Sequence, residues 1–405
     1  MFKITTLVFF SFILSVTCFS QSANVSWLNQ HASPIDSISK GHQVYLSALA
    51  SELKNNTIIG LAEASHGTHE FSVEKTRIIK NLIEHQNYRL IGFEFGYSPM
   101  AAINNYLQTG KGDLKQLMKP LRLFETKEIF SLFQTIKTYN DSQPTENKVT
   151  LFGFDMDYFK NDIDSSAVYC RNYLIKHADI YAKGKAALPV LEQIARPGDN
   201  NLYELSEGEI EALTALNDEA KAKGSSSTAG SGEFKKRLSL LYQGTQLGNP
   251  LNRDEFMAAN LAEVQQAAKA KTIIWGHNLH LAKDTTIAAC KGMGYYVQKN
   301  YGNQYYAIGF DTFKGSVTVL DGDEFVQHVF QTEPNSFSAI FANAKFPAFF
   351  VSFGKPEGNP FYNVSKNITN IYANWGNTRA LPIRPGIDFD AMIFIKETSA
   401  SVPLK

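Results

Sequence analysis

Residues 57–95 read TIIGLAEASHGTHEFSVEKTRIIKNLIEHQNYRLIGFEF. Two apolar, β-branched runs, Thr57–Ala62 and Arg89–Phe95, enclose a segment with helical periodicity. Within it Phe71, Ile78, Ile79, Leu82 and Ile83 fall on one face, with Glu70, Glu74, Arg77 and Lys80 around the rest. Strand, helix and strand within about 40 residues make a βαβ unit, so the two strands should run parallel. Both runs are nearly continuous in hydrophobicity rather than alternating, the pattern of strands covered on both faces.

Similar runs recur at Val149–Phe154 (VTLFGF), Thr272–Gly276 (TIIWG), Tyr305–Phe310, Ala348–Phe353 and Ala391–Ile395. A second helix is expected to start at Ser98-Pro99, a cap followed by proline, and to stop near Gly110. From about Asp162 to Ala268 the strand signal disappears. There Ser206–Glu209 (SEGE) forms a capping box ahead of Ile210, Leu213 and Leu216, and Gly224–Gly232 (GSSSTAGSG) reads as a linker or loop tip. The fold class is therefore α/β: a mostly parallel central sheet with flanking helices and a helical insertion, residues 162–268, forming a cleft.

The first twenty residues read as an export signal. Lys3 precedes the mostly apolar run Leu7–Val16, which is too short to span a bilayer, where about 20 apolar residues are needed. Cleavage is expected between Ser20 and Gln21, which leaves residues 21–405 as the mature, periplasmic or secreted chain. Cys18 offers a lipid anchor, although Ser15-Val16-Thr17 before it matches a lipidation box poorly. Charges balance at 39 against 39, so nucleic acid and anionic membranes are not indicated as partners. Nothing after the signal is long and apolar enough to form a transmembrane segment. Cys170 and Cys290 leave a disulfide open.

The chemistry-bearing residues fall at strand ends. Glu63 and His66 follow the first strand, Glu94 lies near the end of the second, Asp155 follows the third, and His277 and His280 follow the fourth. In a parallel sheet these ends share one edge, where ligand sites of open α/β sheets lie. His66 sits on a turn into a helix, whose dipole favours a neutral ring able to take a proton from water. Gly67 permits a tight backbone there, Glu63 either serves His66 or caps the helix, and His69 reads as a surface residue.

The two histidines of Trp275–His280 (WGHNLH) are read as ligands or hydrogen-bond donors facing one cavity, or one of them as a core residue. With Glu63 and His66 they would compose a zinc shell, yet neither HExxH nor a cysteine set supports it, so no metal or cofactor is assigned. Glu94 in GFEFG is a buried carboxylate that requires a partner: His66, or a salt bridge to Arg77 or Lys75. Asp155 in FGFDMD has the same ambiguity. Arg253, opening NRDEFMAANL, would stabilise an oxyanion or pair with a carboxylate. A GxSxG elbow, a Walker loop and a GxGxxG turn are all absent.

These segments together resemble the erythromycin (macrolide) esterase family. GLAEASHGTHEF is similar to that family's G-E-x-x-H-G-[ST]-x-E-F block, with Leu61-Ala62 between glycine and glutamate. GFEFG, FGFDMD, NRDEFMAANL and WGHNLH follow in the family's order, so the resemblance runs from about residue 40 onward. It implies a metal-independent hydrolase of the lactone ester of 14-membered macrolides, conferring macrolide resistance. By position it places the general base on His66, acidic partners on Glu63 and Glu94, and the second histidine region on His277 and His280. The basic helix position falls on Lys75, with Arg77 nearby, where some members have arginine; Lys75, Arg77, Arg253 and Asp155 are expected to bind the substrate or its oxyanion, with His277 or His280 as alternative oxyanion donors. The implied partners are water and a macrolide or other small ester. Two other classes stay open: a metal-dependent hydrolase of another ester or peptide, and a non-catalytic ligand-binding surface protein.

Overall fold

A computed structural model describes residues 22–35, 41–157, 160–196, 202–224, 228–247, 252–284, 290–354, 356–376 and 379–404. The expected export segment 1–20, Cys18 included, lies outside them. The strands in chain order are β1 (Ser33–Pro34), β2 (Ile58–Leu61), β3 (Tyr88–Gly96), β4 (Thr150–Asp155), β5 (Lys271–Trp275) and β6 (Tyr305–Asp321). They continue with β7 (Glu324–Gln331), β8 (Ala348–Ser352), β9 (Lys366–Thr369), β10 (Ala380–Ile383) and β11 (Ala391–Thr398). The fold is α/β with a mostly parallel sheet and flanking helices. The chain forms two compact units: one of residues up to Ile91, Leu121–Val149 and Lys269 onward, the other of Gly92–Pro120 and Thr150–Ala268.

In the first unit β2 is central. It pairs in parallel with β6 on one side and β5 on the other, Leu61 facing Ile308 and Trp275. β11 continues the parallel set beyond β6, and β8 and β1 close that side antiparallel. All of β2 is buried, which explains why its sequence shows no alternation. Because β2, β5, β6 and β11 share one direction, the residues that follow β2 and β5 emerge at the same edge.

The helix His69–Gln86 buries Phe71, Ile78, Ile79, Leu82 and Ile83, the five residues its periodicity selects. It stops where Asn87 turns left-handed at φ 60°. Two charged residues depart from the expected pattern. Glu74 is 2% exposed and Lys75 0%, so this helix carries charge into the core as well as around its outer face. A second departure is β6, which runs eleven residues past the expected Phe310 and folds back as the antiparallel hairpin β6–β7.

In the second unit β4 is followed, among the described residues from 160 to 268, by helices alone. The α-helices are Lys160–Lys176, Gly184–Ile194, Glu207–Ala222, Ser231–Thr245 and Asn252–Ala268, with a short 3-10 turn at Leu202–Glu204. Leu213, Leu216, Phe234, Leu238 and Leu241 build their common core with Cys170. The Ser206/Glu209 capping box forms, the Ser206 amide donating to Glu209 Oε2 at 2.7 Å. At Tyr97–Thr109 the cap differs from expectation: Gly96 is the cap residue, and Ser98 instead donates through its amide and hydroxyl to Asp157. Gly110 ends that helix left-handed. Cys170 and Cys290 are not joined by a disulfide.

Candidate active site

The turn after β2 carries Glu63 and His66. Glu63 is buried and each carboxylate oxygen is engaged: Oε1 with His66 Nδ1 at 2.7 Å, Oε2 with Lys75 Nζ at 2.6 Å and Trp275 Nε1 at 3.0 Å. Burial alone would push this carboxyl up. The Lys75 ammonium, joined by the bond and charge of His66, outweighs that and holds it below the usual carboxylate range. An ionised carboxylate only accepts, so His66 Nδ1 is the donor, and in a neutral ring Nε2 is the nitrogen with the lone pair. Glu63 therefore serves the imidazole, and Thr68 holds the N-cap position of the helix that follows, without a side-chain cap bond.

Lys75 reaches this carboxylate from inside the helix His69–Gln86, twelve positions downstream. Its ammonium also lies 4.2 Å from the centroid of the Trp275 ring. Trp275 gave no sequence signal of its own, since an apolar strand end predicts an aromatic residue without predicting where its N–H points. Trp275→Phe keeps the ring and removes a hydrogen bond to a charged acceptor, which costs about 1.5–3 kcal/mol. Urea denaturation should show that loss; a change below about 0.5 kcal/mol would show that the N–H contributes nothing to stability.

His277, two residues after β5 begins its turn, is 2% exposed and caps the short helix Asn278–Leu281, with Nδ1 accepting from the Leu279 amide at 3.3 Å. Its Nε2 lies 3.3 Å from Ala64 O and 3.2 Å from Ile371 O, so it donates between two carbonyls. His277 is thus the hydrogen-bonded core histidine of the WGHNLH pair. Its ring nonetheless stands 5.3 Å from that of His66, and the Asn278 amide donates to Glu63 O at 2.8 Å. His280 is half-buried, 6.4 Å from His277 between ring centroids.

The His66 turn is fastened from behind by residues distant in sequence. Gly67 O accepts from Thr318 N at 3.1 Å and Ser401 N at 2.9 Å. A side chain at position 67 would place its Cβ 1.7 Å from Thr318 O, so only glycine fits this approach. His69 N donates to Ser399 O, and Ser399 donates through its amide and hydroxyl to Glu70, each at 2.7 Å. His69 itself is partly exposed, as its reading expects, with Nδ1 2.5 Å from the buried Glu128 carboxylate, which also accepts from Val402 N.

Other residues singled out in the sequence have charged partners of their own. Arg77 pairs with Glu74 at 3.0 Å on its own helix. In the second unit Arg253 holds two carboxylates, Asp155 Oδ2 at 2.5 Å and Glu94 Oε1 at 3.1 Å through Nη2. Glu94 thus has a cation partner within its own unit. Among the described residues no group of three or more His, Cys, Asp or Glu side chains is disposed to hold a metal ion. The donors of the zinc alternative have other bonds: both oxygens of Glu63, Nδ1 of His66 and both ring nitrogens of His277.

Comparison with known proteins adds to this geometry. Bacillus subtilis (strain 168) YbfO, whose name assigns it provisionally to the hydrolases, is 25% identical over 395 residues, covering 84% of this chain and 85% of its own. Erythromycin esterase type II of Escherichia coli is 23% identical over 304 residues, covering 65% and 70%. A solved structure of a mutant of the erythromycin esterase EreC, in its open conformation, superposes with a TM-score of 0.70 at 16% identity, covering 89% of this chain and 95% of that one. That last likeness is one of fold. The Erythromycin esterase family profile matches residues 83–398, a stretch that includes Glu94, Asp155, Arg253, His277 and His280 and begins downstream of Glu63, His66 and Lys75. Because that match spans well over half of its length, the chain belongs to the erythromycin esterase family.

Proposed function

We propose that this protein is a carboxylic-ester hydrolase in which His66 activates water, and that its substrate is the lactone of a 14-membered macrolide such as erythromycin. The observation that carries the reading is the 2.7 Å bond between His66 Nδ1 and a Glu63 carboxylate held ionised by Lys75. Family membership supports a hydrolase acting on a small ester, and the name of the Escherichia coli relative supports the macrolide. The sequence of residues 1–20 supports action outside the cytoplasm.

In the proposed reaction His66 Nε2 takes a proton from water as the hydroxide oxygen bonds to the ester carbonyl carbon. Glu63 orients the ring and stabilises the imidazolium that forms, as a carboxylate does for a catalytic histidine in acyl transfer. His280 is assigned to the oxyanion, since both ring nitrogens of His277 are engaged by the backbone. Collapse breaks the bond to the alcohol oxygen, which recovers the proton from His66. A lactone is thereby opened to a hydroxy acid. Lys75, fully buried, acts at one remove by keeping Glu63 ionised. Arg253 bonds to Glu94 and Asp155, and no part in this step is proposed for the three.

Incubating the purified chain with erythromycin, with and without chelator, tests this reading by mass spectrometry. A product heavier by one water that forms equally in chelator is the expected result. Activity abolished by chelator and restored by zinc would instead establish a metal-dependent hydrolase. Saturable binding without turnover, on erythromycin and on simple esters alike, would make the protein a ligand-binding module.

A further inference from the structure

We infer that Tyr372, at the exposed end of a ring series that runs through His277 and His66 to buried Phe124, is an apolar wall beside the reacting centre that selects esters with a broad hydrophobic face next to the carbonyl. This rests on the hydrolase reading and assigns a residue that selects its substrate. Four rings follow one another here. Phe124 meets His66 edge-on, centroids 5.2 Å apart at 67°. His66 lies 5.3 Å from His277, and Tyr372 stacks on His277 at 5.6 Å and 25°. Phe124 and His277 are buried, whereas Tyr372 stays 41% exposed.

A single exposed aromatic is ordinary on a protein surface. What distinguishes Tyr372 is how its backbone is held. Ile371 N donates to Ala64 O at 2.7 Å, and Ile371 O accepts from His277 Nε2 at 3.2 Å. Both histidine turns therefore fix the residue directly before Tyr372. Phe124 is delivered with similar rigidity. Arg122, two positions earlier, sits at φ 51° and ψ −104°, a conformation that L side chains rarely adopt. Such strain persists only where the surroundings over-determine it, and it clusters at ligand-handling sites. Here buried Leu121 and Phe124 flank it, and Glu125 N donates to Arg122 O at 2.8 Å.

Aromatic side chains give large apolar area for few rotatable bonds, so a rigid aromatic lip beside a polar reacting centre selects by hydrophobic breadth. A macrolactone or a long acyl chain covers Tyr372, whereas an acetyl group is too small to do so.

The test compares the parent chain with Tyr372→Ala and Tyr372→Phe in two ways. One is hydrolysis of p-nitrophenyl acetate and p-nitrophenyl decanoate; the other is calorimetric binding of erythromycin. For Tyr372→Ala the decanoate-to-acetate ratio of kcat/KM should fall about tenfold and the erythromycin Kd rise about tenfold. Tyr372→Phe should keep both within about twofold of the parent, since the wall needs the ring and not the hydroxyl. An unchanged ratio, or equal losses on both esters, overturns the wall. If no ester is turned over by the parent, the hydrolase reading has failed and binding alone decides. A tenfold weaker Kd for Tyr372→Ala then sustains the wall, and an unchanged Kd, or no binding by the parent, overturns it.

Discussion

His66→Asn should lower kcat for ester hydrolysis by about 10²–10⁴-fold while leaving the protein folded. Asparagine can still donate an N–H toward Glu63, which keeps the buried carboxylate partnered, but it has no basic nitrogen to take a proton from water. The loss is therefore expected in kcat rather than in stability. Steady-state rates on p-nitrophenyl acetate, beside a thermal melt of the same sample, separate the two. Parental kcat in a folded variant would remove His66 from the reaction. His66 is a cleaner position for this test than Glu63, because removing Glu63 leaves Lys75, which has no exposure, without its carboxylate.

Lys75→Met should destabilise the protein by about 3–5 kcal/mol, the usual cost of breaking a buried ion pair from one side. The sign of its pH dependence is the sharper test. In the parent the Glu63 carboxyl titrates below its ordinary value, so the folded state binds fewer protons there than the unfolded state. Its contribution to stability is present above the unfolded value and lost as the pH falls through the folded one. Without Lys75, burial becomes the dominant influence and the carboxyl titrates above the unfolded value. The variant's stability should then fall, relative to the parent, as the pH rises above the ordinary carboxylate range. Thermal midpoints across the acid and neutral range measure this, and parallel profiles for parent and variant would show that Lys75 does not hold Glu63 ionised.

The buried strands were legible because burial on both faces writes a continuous apolar run. β2, β3, β4, β5 and β11 each begin within two residues of the position read from sequence. β7 and the far half of β6 were not, since a hairpin exposed on one side shows mixed polarity, as in Glu324–Gln331. The Glu63–His66 pair could be read because three residues of separation on a turn limit where their side chains go. That Glu63 bonds to His66 and Glu94 to Arg253 could not be read: either carboxylate satisfies the same rule that a buried charge needs a partner. Lys75 was placed on the helix as a basic site position, but its bond to Glu63 was not read. Its inward direction follows from helical phase, since Phe71, Ile78 and Ile79 lie on the same buried side. Phe124 and Tyr372 left no trace, because aromatic residues in irregular segments have no period to betray their neighbours.

The backbone bonds behind His66 carry a consequence for how the protein comes into being. Glu70 receives Ser399 across 329 positions, and Gly67 and Glu128 receive Ser401 and Val402. Contacts of such long sequence separation form slowly, after loop-closure entropy has been overcome. A ribosome that has made the whole of β2 and its helix has thus not yet made the residues that hold the turn between them. Until those residues emerge and dock, the nascent chain possesses the imidazole without the scaffold that aims it.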